Sequence, residues 1–141
     1  LDIRAAERKL GLETMEPEEA LDALVTFTWN YYLKKPEFLR LVNSENLHKA
    51  RHLKALKTVR DTFPPYVDLV QGILDRGVKK GVFRSGVDAV QLNLTIAAIN
   101  YYYLTNRYTG AFLYQRDMMA NDALDERLAF NLETVRRLVA A

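Results

Sequence analysis

The fold of this chain is decided by residues 88–108, which read DAVQLNLTIAAINYYYLTNRY. The stretch predicts one helix about 31 Å long, because an α-helix rises about 1.5 Å per residue. Its apolar residues fall on two faces rather than one, and the polar strip between them is narrow. One face holds Leu92, Ile96, Ile99 and Tyr103, and the other holds Val90, Leu94, Ala97, Ala98 and Tyr101.

A helix that is apolar on two faces must be covered on both. A chain of 141 residues can cover one face well, so we expect a second copy of the chain to cover the other. Asn93, Asn100 and Arg107 line up along one strip of this helix, since they lie seven residues apart. Buried amides need hydrogen-bonding partners. These residues either bond across a helix interface or at its wet rim, or they line a pocket and bind a small molecule.

The composition is that of an ordinary globular protein, with 49% hydrophobic and 27% charged residues, and the length predicts one domain over residues 1–141. A net charge of +2 does not show the excess of basic residues that is typical of nucleic-acid-binding domains. The lack of cysteine excludes disulfides, thiolate metal sites and thiol catalysis, and it fits a cytoplasmic protein. No apolar run has the length of a membrane span, so we expect no membrane partner. Because LDIRAAERKL opens the chain without methionine, we expect a longer parent protein.

Helical periodicity recurs along the whole chain, and no segment alternates with period two. Gly11 ends a first helix, while Pro36 and the pair Pro64-Pro65 each begin a new one. Gly81 ends the helix before the organising stretch, which Asp88 caps. We expect residues 109–122 to be irregular or only partly helical, and Asn121 or Asp122 to cap a last helix. The prediction is an all-α single domain of six or seven helices.

The histidines suggest a metal site only at first sight. Glu45, His48 and His52 would lie within about 60° of arc on a continuous helix, and Glu-x-x-His occurs in di-iron bundles. Such bundles need a second Glu-x-x-His, and the chain has no third histidine. Two interpretations stay open, a metal or ligand site and a hydrogen-bonded histidine pair beside a carboxylate. We favour the second and expect no metal and no cofactor.

The basic run from Lys49 to Arg60 invites a DNA-binding interpretation, but a solvated helix face is the usual form of such a run. It has no helix-turn-helix partner nearby, which argues against base readout. The many aromatic residues suit an amphipathic ligand pocket, an interface or an ordinary core. No phosphate loop, nucleophile elbow or paired catalytic carboxylate is present, so we expect no catalytic residues and no enzyme.

Four stretches resemble the C-terminal regulatory domain of the tetracycline-repressor (TetR) family of bacterial transcription factors. They are IRAAERKLGL, KKPEFLRLVNSENLHKARHLK, ILDRGVKKGVFRSGVDAVQLNLTIAAI and QRDMMANDALDERLAFNLETVRRLV. The resemblance implies a homodimer in which residues 88–108 and 123–140 pair with their twins in a four-helix interface. It also implies a small-molecule effector among the middle helices, which changes the separation of two DNA-binding heads. The head is absent from this sequence, so DNA binding is implied only through that N-terminal part of a longer protein.

Effector-binding residues are expected among side chains that combine an apolar body or a bonding group with an inward-facing position. They are Phe27, Tyr31, Asn43, His52, Tyr66, Asn100 and Tyr103. This set suggests a neutral or weakly polar effector, aromatic ones included. The residues expected to meet the twin chain are Leu94, Ala97, Tyr101, Leu128, Leu132 and Val135. Two alternatives remain, a metal-binding or enzymatic bundle that uses Glu45, His48 and His52, and a dimerisation module without ligand.

Overall fold

The computed structural model describes residues 2–141, with side chains at 3–57, 60–61 and 63–141. Within them it confirms the all-α prediction, but it has eight α-helices where six or seven were expected. They are α1 (Asp2–Arg8), α2 (Pro17–Lys34), α3 (Pro36–Leu47), α4 (Arg51–Lys54), α5 (Lys57–Lys80), α6 (Ala89–Thr105), α7 (Arg107–Tyr114) and α8 (Asn121–Val139), with a short 3-10 turn at Leu12–Thr14. None of the helices in this part of the chain combines the length and apolar character that crossing a membrane requires.

Helix α6 is the organising helix that the sequence predicts, and α2, α5 and α8 pack around it. The Asp88 carboxylate caps it by accepting a hydrogen bond of 2.9 Å from the backbone N–H of Gln91. One stripe of α6 is buried, and it consists of Ala89, Leu92, Ile96, Asn100 and Leu104. The opposite stripe stays in solvent, with Leu94 56% and Tyr102 68% exposed. The chain therefore covers one of the two apolar faces and leaves the other open.

The core consists of two apolar clusters that α6 connects. The larger one joins α2, α5, α6 and α8, and its fully buried members include Leu24, Ile73, Leu92, Ile96 and Val135. The smaller one surrounds Trp29 and includes Ile3, Tyr32, Leu39 and Leu104. Since Ile3 belongs to α1, the first helix packs onto the same end of α2 and α6 as the aromatic residues.

A buried amide pair, Asn100 with Asn131, fixes the position of α6 between α2 and α8. Both side chains are 0% exposed. The Asn131 amide donates to Asn100 Oδ1 at 2.9 Å, and the Asn100 amide donates to the Val25 carbonyl at 3.3 Å. This pair and the Tyr66–Asn93 bond described below favour the helix-interface account of the polar strip, because at both positions the bond crosses between helices.

Three local expectations about helix ends were wrong. The organising helix ends at Thr105 rather than at residue 108, and Ala120 rather than Asn121 or Asp122 stands at the cap position of α8. Residues 107–114 form α7 and residues 115–120 are not helical, so the segment expected to be irregular or only partly helical is partly helical. Helix α7 packs on the segment that follows it through Gly110, where an added Cβ would lie 2.2 Å from the Met118 sulfur. Helix α5 runs through Pro64 and Pro65 instead of beginning there. The carbonyls four residues earlier belong to exposed residues, so water can replace the amide donors that proline lacks.

Replacing Asn131 with alanine tests the amide pair. The change leaves the buried oxygen of Asn100 without its donor, so we expect the free energy of unfolding to fall by about 1–3 kcal/mol. The matched control is Asn46→Ala, because Asn46 is exposed and bonds only to a carbonyl of its own helix. Urea unfolding measures both variants, and equal losses would contradict the structural role of the pair.

Glycine substitutions in α5 test how tightly the loop before α6 is held. A Cβ at Gly77 would lie 1.9 Å from the Phe83 ring, whereas a Cβ at Gly72 would meet only the flexible end of Arg76 at 3.8 Å. Gly77→Ala should cost about 1–3 kcal/mol of unfolding free energy through overpacking. Gly72→Ala should instead gain up to about 1 kcal/mol from helix propensity. Thermal unfolding of the two variants checks the opposite signs.

Candidate functional site

The seven residues expected to bind an effector do not converge on one cavity. Phe27 and Tyr31 lie one turn apart on α2 with ring centroids at 6.1 Å, and Tyr31 also meets Phe38 at 5.2 Å. Asn43 lies on the exposed side of α3, where its amide donates to the Thr105 hydroxyl at 2.8 Å. These contacts attach α3 to α2 and α6.

The polar groups of Tyr66 and Asn100 already have hydrogen-bond partners within the chain. The Tyr66 hydroxyl donates to Asn93 Oδ1 at 2.6 Å, and the Arg4 guanidinium lies 3.6 Å above its ring. Burial raises the pKa of Tyr66 to about 12. Asn100 belongs to the amide pair, so its amide group already has partners on α2 and α8. Both residues thus join helices to one another.

His52 lies in the short helix α4, after a break in the helical backbone. The continuous helix that a metal face of Glu45, His48 and His52 would require is interrupted, since Lys49 and Ala50 adopt left-handed backbone angles with φ of 57° and 59°. Glu45 is 5% exposed, and its carboxylate lies 2.7 Å from His52 Nδ1 and accepts a 3.1 Å bond from the Leu53 N–H. Among the described side chains no group of three or more histidine, aspartate or glutamate residues could hold a metal. This arrangement agrees with the favoured interpretation of a hydrogen-bonded histidine beside a carboxylate.

Glu45 makes the connection between α3 and α4 sensitive to acid. Burial alone would raise the pKa of Glu45, but the hydrogen bonds from the Leu53 N–H and from His52 outweigh it and lower this pKa below 4.5. A carboxyl group with a lowered folded-state pKa stabilises the fold above its unfolded pKa. That contribution is lost as the pH falls through the folded value.

We expect the wild type to lose more stability than Glu45→Gln when the pH is lowered from above 4.5 to below it. Glutamine can still bond to the turn but carries no charge to neutralise. The matched control is Glu133→Gln on the exposed face of α8, which should keep the wild-type acid sensitivity. The midpoints of urea unfolding at the two pH values measure this difference. If Glu45→Gln loses as much stability at low pH as the wild type does, the proposed role of the Glu45 carboxylate is wrong.

A cavity of about 680 Å³ lies between the end of α6, α7 and the first half of α8. Its volume is within the range of about 300–1,000 Å³ that small-molecule sites occupy. Of the seven expected effector residues, Tyr103 alone is among its lining residues. They are Tyr102, Tyr103, Tyr114, Arg116, Met118, Ala123, Glu126, Arg127 and Phe130.

The cavity combines aromatic walls with an arginine side chain whose Nε has no hydrogen-bond acceptor among the described residues. The Arg127 guanidinium lies 5.6 Å from the Tyr103 ring centroid and 5.5 Å from that of Phe130. Arg127 Nε is buried and finds no hydrogen-bond acceptor among the described residues. Arg116 lies 3.5 Å from the Glu126 carboxylate. The Tyr103 hydroxyl donates to the Met118 carbonyl at 2.6 Å, and burial raises the pKa of Tyr103.

Arg127 was not among the residues singled out from the sequence. The buried stripe of α8 consists of Ala123, Asn131, Val135 and Val139, and Arg127 lies in register with it, four residues after Ala123 and four before Asn131. A signal was nevertheless present. Phe130 follows Arg127 by three residues, and side chains three apart on a helix are neighbours.

Three residues of the cavity lining, Tyr102, Tyr114 and Phe130, are exposed, and other exposed apolar side chains lie on α6 and α7. We call this set the apolar surface. It consists of Val90, Leu94 and Tyr102 on α6, Tyr108, Phe112, Leu113 and Tyr114 on α7, and Phe130 on α8. Phe112 is 82% exposed, which is unusual for a phenylalanine. An apolar surface of this extent indicates an interaction site.

The residues expected at the twin interface divide into two groups. Leu94 lies on the apolar surface, and together with Ala97 and Tyr101 it lines an apolar groove of about 330 Å³ beside α3. Leu128 and Leu132 are half-buried. Val135 is 1% exposed and belongs to the core of the single chain, which corrects its assignment to the interface. The helical stripe of α8 that looked like one interface is therefore mainly a core-facing stripe.

Two relationships to known proteins agree with this architecture. Residues 17–135 match the family model described as "Tetracyclin repressor-like, C-terminal domain". The chain is also 34% identical over 125 residues to the HTH-type transcriptional repressor NicS of Pseudomonas putida. That alignment covers 89% of this chain and 59% of the relative, so the chain spans well under two thirds of the length of that protein.

Proposed function

This chain belongs to the tetracycline-repressor family as its C-terminal domain, and we propose that it forms the effector-binding and dimerisation domain of a transcriptional repressor. The observation that carries the proposal is the second apolar face of α6, which the chain leaves uncovered. DNA contact is assigned to an N-terminal helix-turn-helix head of the whole protein. We also propose that the whole protein, as a regulator of transcription, works in the cytoplasm and has no enzymatic activity.

A second copy of the chain is the proposed partner of the apolar surface. Large apolar side chains in water cost free energy, which their burial recovers at about 25 cal/mol per Å². The surface extends over α6, α7 and α8, and α6 and the last helix are those that the family resemblance assigns to the twin interface. A self-complementary patch on one face also suits the two-fold symmetry of a homodimer.

The cavity between α6, α7 and α8 is the proposed effector site. Its Tyr103 ring lies 5.7 Å from the ring of Trp29, which is 2% exposed on α2. Trp29 shares an apolar cluster with Ile3 of α1, the helix that resembles the one leaving the DNA-binding head. An effector that moves Tyr103 therefore acts on a packed cluster that reaches the first helix. Coupling of this kind requires the cluster to have two arrangements of different effector affinity.

Leu94→Glu tests the homodimer. A carboxylate in place of Leu94 would have to be desolvated at the interface, so we expect dimerisation to weaken at least about tenfold. The matched control is Leu47→Glu, because Leu47 is 80% exposed on α3 but lies outside the apolar surface. Light scattering at micromolar concentration gives the mass, and circular dichroism shows whether both variants keep their helices. A monomeric wild type, or a Leu94→Glu variant that dimerises as well as Leu47→Glu, would refute the proposed interface.

A further inference from the structure

We propose that the cavity between α6, α7 and α8 takes an effector with a carboxylate group on a flat aromatic body, and that Arg127 binds the carboxylate. The inference rests on the proposed function and narrows the class of effector. It departs from the neutral effector expected from the sequence, because six of the seven residues behind that expectation do not line this cavity.

The first argument is the unsatisfied donor. Most buried N–H groups in proteins have an acceptor, and leaving one without an acceptor is costly. Arg127 Nε is buried without such a partner in the part of the chain that the structure describes. The guanidinium carries a permanent charge and offers its N–H groups in a planar fork that matches a carboxylate. An acidic group brought by a ligand would satisfy this donor.

The second argument is the charge of the cavity lining. Arg116 and Arg127 are its cations, and Glu126 is the carboxylate that faces them. Glu126 lies 3.5 Å from Arg116, while no ion pair is found for Arg127 among the described residues. Asp117 is close in sequence, but it does not line the cavity and accepts a 3.0 Å bond from the Met119 N–H. One positive charge of the lining therefore remains without a counter-charge.

The third argument is the shape of the walls. Four aromatic rings line the cavity, and aromatic groups prefer to pack on one another in offset or edge-to-face arrangements. Tyr103 and Phe130 also lie within cation–π distance of the Arg127 guanidinium and restrict its position. A planar aromatic acid can meet these rings with its body while its carboxylate reaches Arg127. A volume of about 680 Å³ leaves room for one or two fused rings.

The test uses two acids with their neutral amides as matched probes. They are benzoate with benzamide and, for a larger body, 2-naphthoate with 2-naphthamide. Each is titrated into the wild-type chain, and the dissociation constant follows from the shift in thermal unfolding. Because a charged hydrogen-bonded pair is lost in the amide, we expect at least one acid to bind about tenfold or more tightly than its amide.

Two substitutions of Arg127 test whether the acid binds at this residue. Arg127→Gln removes the charge and should abolish the preference for acid over amide, while Arg127→Lys should restore part of it. The control is Arg137→Gln, because Arg137 is an exposed arginine on the same helix and pairs with Glu133. Its preference should equal that of the wild type. Light scattering on the same samples reports the oligomeric state.

The outcomes separate this inference from the proposed function. A dimer that binds neither acid, or binds one as well in Arg127→Gln as in the wild type, overturns the carboxylate site and leaves the dimer standing. A loss of dimerisation in Arg127→Gln without ligand would mean that the twin chain supplies the acceptor, which also overturns the site. A monomeric wild type counts against the proposed function itself.

Discussion

The buried amide pair of Asn100 and Asn131 is the constraint on which the rest of the structure depends. Apolar packing alone would tolerate a small rotation of α6, because both of its faces are apolar. The bonds from Asn131 to Asn100 and from Asn100 to the Val25 carbonyl favour one rotation, since a rotated α6 would break both of these buried bonds. With α6 fixed in this way, Leu94 and Tyr102 point away from the core. The uncovered face is thus a consequence of the polar pair.

The sequence predicts best those features that are set by local chemistry. The Asp88 cap, the helix end at Gly81 and the two faces of α6 follow from neighbouring residues, and the structure confirms each of them. The extent of α7 was not predicted, because it depends on a contact between Gly110 and the Met118 sulfur. The turn at Lys49 and Ala50 was not predicted either, because it is closed by the bonds of the buried Glu45 carboxylate to His52 and Leu53. The cavity was missed for the same reason, since its residues come from three helices and a connection. Tyr103 was found because its ring already belonged to a recognisable helical face.

The aromatic residues connect the cavity to the buried cluster around Trp29. Tyr103 contacts the cavity on one side and Trp29 on the other, and the Trp29 cluster extends to Leu39 on α3 and Ile3 on α1. A close-packed cluster of this kind does not deform gradually, so a displacement at one ring has to be accommodated by its neighbours. The proposed effector site and α1, which resembles the helix that leaves the DNA-binding head in this family, therefore belong to one packed body. The continuous packing from Tyr103 to Ile3 can transmit a displacement between the cavity and α1. The free energy of this coupling would come from the difference in effector affinity between two arrangements of the cluster.

The rings of Tyr102, Tyr114 and Phe130 belong both to the cavity lining and to the apolar surface. A twin chain on that surface would close the cavity, and an effector in the cavity would fill space beneath the interface. The binding of the effector and the binding of the twin chain are then linked. If the effector changes the affinity between the two chains by some factor, dimerisation changes the affinity for the effector by the same factor. An effector that fits the closed cavity strengthens the dimer, and one that is too large for it weakens the dimer. The size of the aromatic body, rather than its charge, would therefore decide the direction of the response, while Arg127 would decide which compounds are recognised.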